Sequence, residues 1–355
     1  MAYIKDISII SPQKTSGDRA FPDEIISYSG PGYMKCIEPA YREFIDPMVG
    51  RRMSRIVKMG VYSAMKCMHD TGINAPDAII AGTGLGCLED TEKFLTSIYN
   101  SEEKLLNPTP FIQSTHNTIA GAIALSVKCH SYNATYTQRG FSFESALQDA
   151  LLQLNEIPSR NILVGGFDEV TETSFALTSR LGLWKNHETD SNKLYDYNTR
   201  GSLSGECAAF LMLSGSKGEA DTVRIRLFKT FYGERITKIN DKIEGYLKED
   251  GMESESIDLI LLGKNGDSRN DHFYDDLLEG LLRHKPVTGF KHLCGEFDTS
   301  AVFALWLARL ILIRPEVTGS LKLLNDNKMP KKVNSIMIYN HLRGKYHSIY
   351  VLERC

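Results

Sequence analysis

The turn Gly82-Thr83-Gly84-Leu85-Gly86 follows an apolar run and has the small residues that let a backbone close around a phosphate. A dinucleotide loop requires G-x-G-x-x-G, and the third glycine position here holds Cys87. No GxxxxGK[ST] occurs either, so the segment reads as a tight strand-to-helix turn. Cys67, His69 and Asp70 sit close together, as do Cys129 and His130, and these residue types can bind metals. Neither cluster has a second ligand pair at metal-site spacing, so both read as helix residues. Gly201-Ser202-Leu203-Ser204-Gly205 puts Leu203 where a G-x-S-x-G frame needs its serine, so there is no nucleophile elbow. Arg51, Arg52, Arg55 and Lys58 make a basic stripe at the opening of a helix. It is either the wet face of that helix or a docking surface for a carboxylate- or phosphate-rich partner. The acidic run Glu249–Glu255 reads as a solvated loop.

The elements that must position these residues alternate. Apolar and β-branched runs recur at Ile4–Ile10, Ala78–Ala81, Ile162–Val164, Cys207–Leu213, Val223–Phe228, Ile257–Leu262, Ser335–Tyr339 and Ser348–Leu352. Between them lie helical repeats of three and four, one through Met53, Ile56, Val57, Gly60, Val61, Ala64 and Met68. Another runs through Phe143, Ala146, Leu147, Ala150, Leu151 and Leu154. Ala301–Ile313 is apolar nearly all round, as a helix buried between sheets would be. Alternation of this kind predicts a parallel sheet with crossover helices. The pattern also occurs twice. Ala78–Gly86 has a counterpart in Leu259–Asp267, and Ile162–Val164 with Cys207–Leu213 is echoed by Ser335–Tyr339 with Ser348–Leu352. The division falls near Ser214–Asp221, which predicts halves at 1–213 and 214–355.

Composition narrows the function classes. The chain has 355 residues, enough for two fused units, with 42% hydrophobic and 24% charged residues. A net charge of −3 provides no basic field for nucleic acid or an anionic membrane. No apolar run reaches the roughly 20 residues of a membrane span. The first ten residues read as a strand and not as a signal peptide. Seven cysteines without CxxC pairs fit a reducing cytoplasm.

Several stretches together resemble the beta-ketoacyl-[acyl carrier protein] synthases of the thiolase fold. Arg52-Met53-Ser54-Arg55 resembles that family's first helix, and Gly82–Leu88 its glycine turn. Pro110-Phe111-Ile112 with Asn117-Thr118-Ile119-Ala120-Gly121 resembles P-x-x-I/V…N-x-x-A-G. Gly165-Gly166-Phe167-Asp168-Glu169 resembles the strand end that follows the nucleophile. Tyr195-Asp196, Arg200-Gly201 and Gly205-Glu206-Cys207-Ala208 resemble F-D…R-D-G-F…G-E-G-A. The resemblance implies an α/β thiolase-like fold of two pseudo-duplicated halves in five α-β-α-β-α layers. It implies no cofactor and no metal.

It also shows what has changed. Active synthases load the acyl chain on a cysteine thiolate at a helix N-terminus. Counted back from Gly140, that position is Thr137, followed by Gln138 and Arg139. The first family histidine falls on Gly263 or Lys264, and the second is matched by His292 in Lys291-His292-Leu293-Cys294-Gly295. The family lysine aligns with Val287, with Lys285 out of register. The terminal oxyanion turn G-F-G-G is replaced by His341-Leu342-Arg343-Gly344.

This pattern resembles the chain-length-factor subunits of polyketide and aryl-polyene systems. Those lack the cysteine, often having glutamine there, and pair with an active synthase. Three readings follow. One is a condensation-impaired, cytoplasmic partner subunit in fatty-acid or polyketide assembly. Another is an acyltransferase or 3-oxoacyl synthase with a rearranged site built on Thr137 and His292. The third is a non-catalytic scaffold. The expected site has Thr137 and His292 facing a shared cavity at a helix N-terminus, with Gln138, Gly140, Leu342, Arg343 and Gly344 lining the acyl tunnel. Expected partners are an acyl carrier protein, docking on Arg51, Arg52 and Arg55, and a second thiolase-fold chain paired through Tyr132–Tyr136 as a homodimer or heterodimer.

Overall fold

The computed structural model describes residues 2–15, 25–30, 32–220, 222–233, 238–314 and 321–355. Ten strands form its sheet: β1 (Ala2–Ile10), β2 (Ala78–Gly82), β3 (Tyr132–Tyr136), β4 (Asn161–Asp168), β5 (Cys207–Ser214), β6 (Val223–Tyr232), β7 (Leu259–Leu262), β8 (Val287–Gly289), β9 (Ser335–Leu342) and β10 (Tyr346–Arg354). Their order is β8-β7-β9-β10-β6-β1-β5-β4-β2-β3. Outward from the centre, each half therefore runs first strand, fifth, fourth, second, third. The directions also repeat. β1 pairs antiparallel with β5 and β5 with β4, while β4/β2 and β2/β3 are parallel. β6/β10 and β10/β9 are antiparallel, and β9/β7 and β7/β8 parallel. The duplication read from the sequence is a duplication of topology.

The five strands of each half are also continuous with those of the other. β1 and β6 pair through Ala2↔Ile225 and Tyr3↔Arg224, which joins the halves into one ten-stranded sheet. β1 and β6 open their respective halves and meet only at these two residue pairs. Between the halves, Ser214 ends β5 and Val223 begins β6; Asp221 lies outside the described residues.

The layers follow from strand alternation. Ile79, Ala81, Leu163, Phe167 and Phe210 face an outer layer of α1 (Arg55–Thr71) and α2 (Thr118–Ser126). Ile260, Leu262, Met337 and Tyr339 face the other outer layer, α4 (Ile239–Glu249) and α5 (His272–Glu279). Ile80, Val164, Leu261 and Ile338, from both halves, share one core with α3 (Ser142–Glu156) and α6 (Ala301–Ile313). Ten of the thirteen α6 residues are buried, as expected for a helix in the middle layer. No helix among the described residues is long and apolar enough to cross a membrane.

Candidate functional site

The parallel strands of both halves end at loops that converge on the central layer. In the first half β2 runs into the glycine turn and β4 ends at Asp168, whose buried carboxylate ties the loops together. It accepts from the Gly84 N–H (2.8 Å), the Thr83 hydroxyl (3.1 Å), and the Thr299 N–H and hydroxyl (2.8 Å each). The glycines of the turn are there for close approach. A Cβ on Gly82 would lie 2.4 Å from the Ser142 backbone, and one on Gly84 2.1 Å from an Asp298 carboxylate oxygen. Burial, with the Asp298 charge adding to it, pushes Asp168 up to about 7. Burial also raises Asp298, against Arg343 and Arg139, whose guanidinium lies 3.9 Å away.

In the second half, the loop after β7 is held by the Asp271 carboxylate, which accepts from the Asn265 and Gly266 N–H groups. Asn265 in turn donates to Glu296 (2.6 Å), and the other Glu296 oxygen takes the Lys291 ammonium at 2.6 Å. Lys291 also donates to the Ser300 hydroxyl. Asp267 accepts from the Gly201 N–H and binds the Arg269 guanidinium through both oxygens, which lowers its pKa against its own desolvation. Of these groups Asn265, Asp267, Arg269 and Glu296 wall a cavity of about 230 Å³, together with Trp184, Ser202, Asp298 and Arg343 among others. With amide, hydroxyl and indole groups among paired charges, it can hydrogen-bond an extended polar chain along its length.

The sequence-predicted residues are distributed unevenly around this cavity. Leu342 and Arg343 line it, and Gly140 packs against Leu342, a Cβ there lying 2.8 Å from the leucine's own. Gly344 closes the β9–β10 turn at φ +61°, its N–H donating to His341 Nδ1. Thr137 and His292 differ in exposure, the first exposed and the second buried. Thr137 is exposed and precedes a 3-10 turn, Arg139–Phe141, that intervenes before α3 begins. The Gln138 N–H is used by the Ser142 hydroxyl, and Gln138 lines a different cavity beside β3. His292 is buried, its Nδ1 2.8 Å from the Tyr195 hydroxyl, and its Nε2 has no hydrogen-bond partner among the described residues. Burial lowers its pKa to about 3, so the ring is neutral. Neither residue lines the 230 Å³ cavity.

At Gly263 there is no room for a side chain. A Cβ would stand 2.1 Å from Asn340 Oδ1 and 2.8 Å from the Tyr274 hydroxyl. The basic stripe also divides. Arg51 and Arg52 are exposed, but Arg55 forks onto both oxygens of the buried Glu206 at 2.6 and 2.8 Å and reaches Glu38 with its Nε. That carboxylate also accepts from the Cys36 and Val170 N–H groups, so Arg55 clamps the core and is not a free docking cation. Sequence reasoning missed the Lys291–Glu296–Asn265 chain. Its one available signal was a lysine and a glutamate five residues apart, Lys291 and Glu296.

Residues 31–180 match the family model described as beta-ketoacyl synthase, N-terminal domain. No curated protein matches the sequence. Among solved structures, a beta-ketoacyl synthase from Burkholderia phymatum STM815 superposes with a TM-score of 0.78 at 13% identity, covering 100% of this chain and 99% of that one. The ishigamide ketosynthase/chain length factor gives 0.75 at 17% identity, over 99% and 98% of the two chains. A ketosynthase in complex with its chain length factor from Xenorhabdus doucetiae gives 0.75 at 14%, over 100% and 98%. The fold is thiolase-like over the whole chain, and the chain resembles ketosynthases and chain length factors.

Proposed function

We propose that this ketosynthase-like chain is a condensation-impaired subunit of fatty-acid or polyketide assembly, working in the cytoplasm as a chain-length-factor-type partner of an active ketosynthase. Residues 1–213 make its ketosynthase-like half and 214–355 its second thiolase-like half. The observation that carries the reading is the loop after β7: Gly263 and Lys264, where the first family histidine falls, are not histidines, and a Cβ at Gly263 would stand 2.1 Å from Asn340 Oδ1. Thr137 supports it. Its hydroxyl is exposed, and a threonine hydroxyl is a far poorer nucleophile at neutral pH than a cysteine thiolate. His292 supports it too, buried and neutral with its Nδ1 against the Tyr195 hydroxyl.

The partner would be a second thiolase-fold chain, paired along the open edge of β3. Phe111, Ile112, Leu125 and Tyr132 are all exposed in the segments leading to that strand, and a partner would cover them. The 230 Å³ cavity would admit the amide-bearing arm of a carrier-bound acyl chain between Trp184, Asn265 and Arg343, with Arg51 and Arg52 as the cations free to meet the acidic carrier protein.

The test is chain extension by purified protein supplied with acyl- and malonyl-carrier substrates. Wild type and Thr137→Cys should both fail to elongate alone, and wild type should carry no acyl adduct by intact mass. Acylation of Thr137, or elongation by Thr137→Cys without a partner, would overturn the reading.

A further inference from the structure

A second cavity, of about 270 Å³, opens beside α3 and shares no lining residue with the central one. Its lining includes Gln138, Phe141, Glu144, Gln148, Asp149 and Leu152, and none of the described residues around it is cationic. Two carboxylates therefore face one small space. Glu144 is buried, and one of its oxygens accepts from the Tyr350 hydroxyl at 2.9 Å. The other oxygen, and the Ser348 hydroxyl beside it, make no hydrogen bond among the described residues. A buried carboxylate oxygen without a donor is unfavourable, and a donor on a bound molecule would satisfy it. Asp149 accepts from the Tyr132 and Tyr136 hydroxyls at 3.0 and 3.1 Å and from the Gln153 amide at 3.0 Å. Those three donors are neutral. Neither carboxylate has an ion-pair partner among the described residues.

A neutral donor would answer Glu144 alone, whereas a cation answers the uncompensated charge of both carboxylates. A metal ion is not the match, since no three His, Cys, Asp or Glu side chains among the described residues group to hold one. Glu144 and Asp149 are five residues apart on α3, about 7.5 Å along the helix axis at 1.5 Å per residue. That is too far for one ammonium to touch both, and it is the span of a short extended diamine. We propose that this cavity binds an organic diamine with a four- or five-carbon stem. One ammonium donates to the free Glu144 oxygen and the other pairs with Asp149, with the methylenes against the apolar lining of Phe141 and Leu152. The site does not depend on the partner subunit proposed above.

Isothermal titration calorimetry of the full chain with 1,4-diaminobutane tests it. Burial pushes Glu144 up to about 7, so the titration is run at about pH 8, where the carboxylate is ionised and both amines stay charged. Wild type should bind one diamine per chain. 1,4-Butanediol, the same stem without charge, should bind at least about tenfold more weakly. Glu144→Gln keeps an acceptor for Tyr350, and Asp149→Asn keeps one for the two tyrosines; each should weaken binding about tenfold or more. Gln148→Lys, at an exposed position, puts a cation into the cavity without touching a buried group. It should abolish binding, and it reads the site even if the Glu144 variant does not fold. Absence of binding to wild type, equal binding of the diol, or wild-type affinity in Gln148→Lys would each overturn the site. Wild-type affinity in Asp149→Asn would overturn the diamine as its ligand.

Discussion

Lys291 and Glu296 form an ion pair of 2.6 Å at the centre of the molecule, the lysine fully buried and the glutamate nearly so. The pair stands beside His292, in the segment that resembles the second catalytic histidine motif, and it fills interior space with charge. Taking two charges out of water is tolerable only where each is fully partnered. Here Asn265 and Ser300 complete the set.

Lys291→Met should therefore cost about 3–5 kcal/mol in chemical denaturation, because it strands the Glu296 carboxylate. Lys291→Met with Glu296→Gln should recover part of that loss, since the buried charge goes with its partner. A single variant as stable as wild type would mean that the pair is solvated in solution.

Gly263→Ala should destabilise by about 1–3 kcal/mol, because its methyl group must displace Asn340 or Tyr274. Gly263→His should cost more, and should not generate condensation when combined with Thr137→Cys. Thermal melts and the extension assay read the two effects separately.

Arg55→Ala should unfold the chain more readily, by about 3 kcal/mol, for it leaves the buried Glu206 carboxylate without its cation. Arg51→Ala and Arg52→Ala should stay within about 0.5 kcal/mol of wild type, as exposed substitutions do. They should instead weaken binding of an acyl carrier protein in a salt-dependent way, measurable by titration calorimetry.

The pH profile of stability has two opposed parts. Burial raises Asp168, Glu144, Glu169 and Asp271 to about 7. A raised acid keeps a proton that the unfolded chain has lost, so this contribution is present at low pH and fades as pH rises through about 7. Burial lowers His292 to about 3 and His347 to about 4. The unfolded imidazoles take protons that the folded ones refuse, so this stability is present above about 6.5 and is lost as pH falls toward 4. Between pH 5 and 6.5 the two trends oppose each other, but the four raised acids outnumber the lowered histidines, so wild-type stability should fall as pH rises. His347→Gln removes one opposing group. Its stability relative to wild type should improve by about 1 kcal/mol or more on going from pH 7 to pH 5. Parallel profiles for the two proteins would show that His347 is not held neutral.

The fold was legible because it depends on local pattern. Runs of apolar residues at Ala78–Ala81 and Leu259–Leu262, and helical spacing from Phe143 to Leu154, are properties of short segments, and their repetition exposed the duplication. Residue type was legible too: in the resemblance read from the sequence, Thr137, Gly263 and Val287 stand where that family has a cysteine, a histidine and a lysine. What stands beside what was not. Arg55 reads as a surface cation in its own helix, and only packing sets it against Glu206, 151 residues on. Nor does the sequence show that Thr137, ahead of the 3-10 turn at Arg139–Phe141, is exposed while His292 is buried against Tyr195. Residue type and short-range periodicity are written in the chain and determine the elements and their order. Burial, ion pairing and protonation depend on distances between segments far apart in sequence, and only the folded chain brings those segments within range.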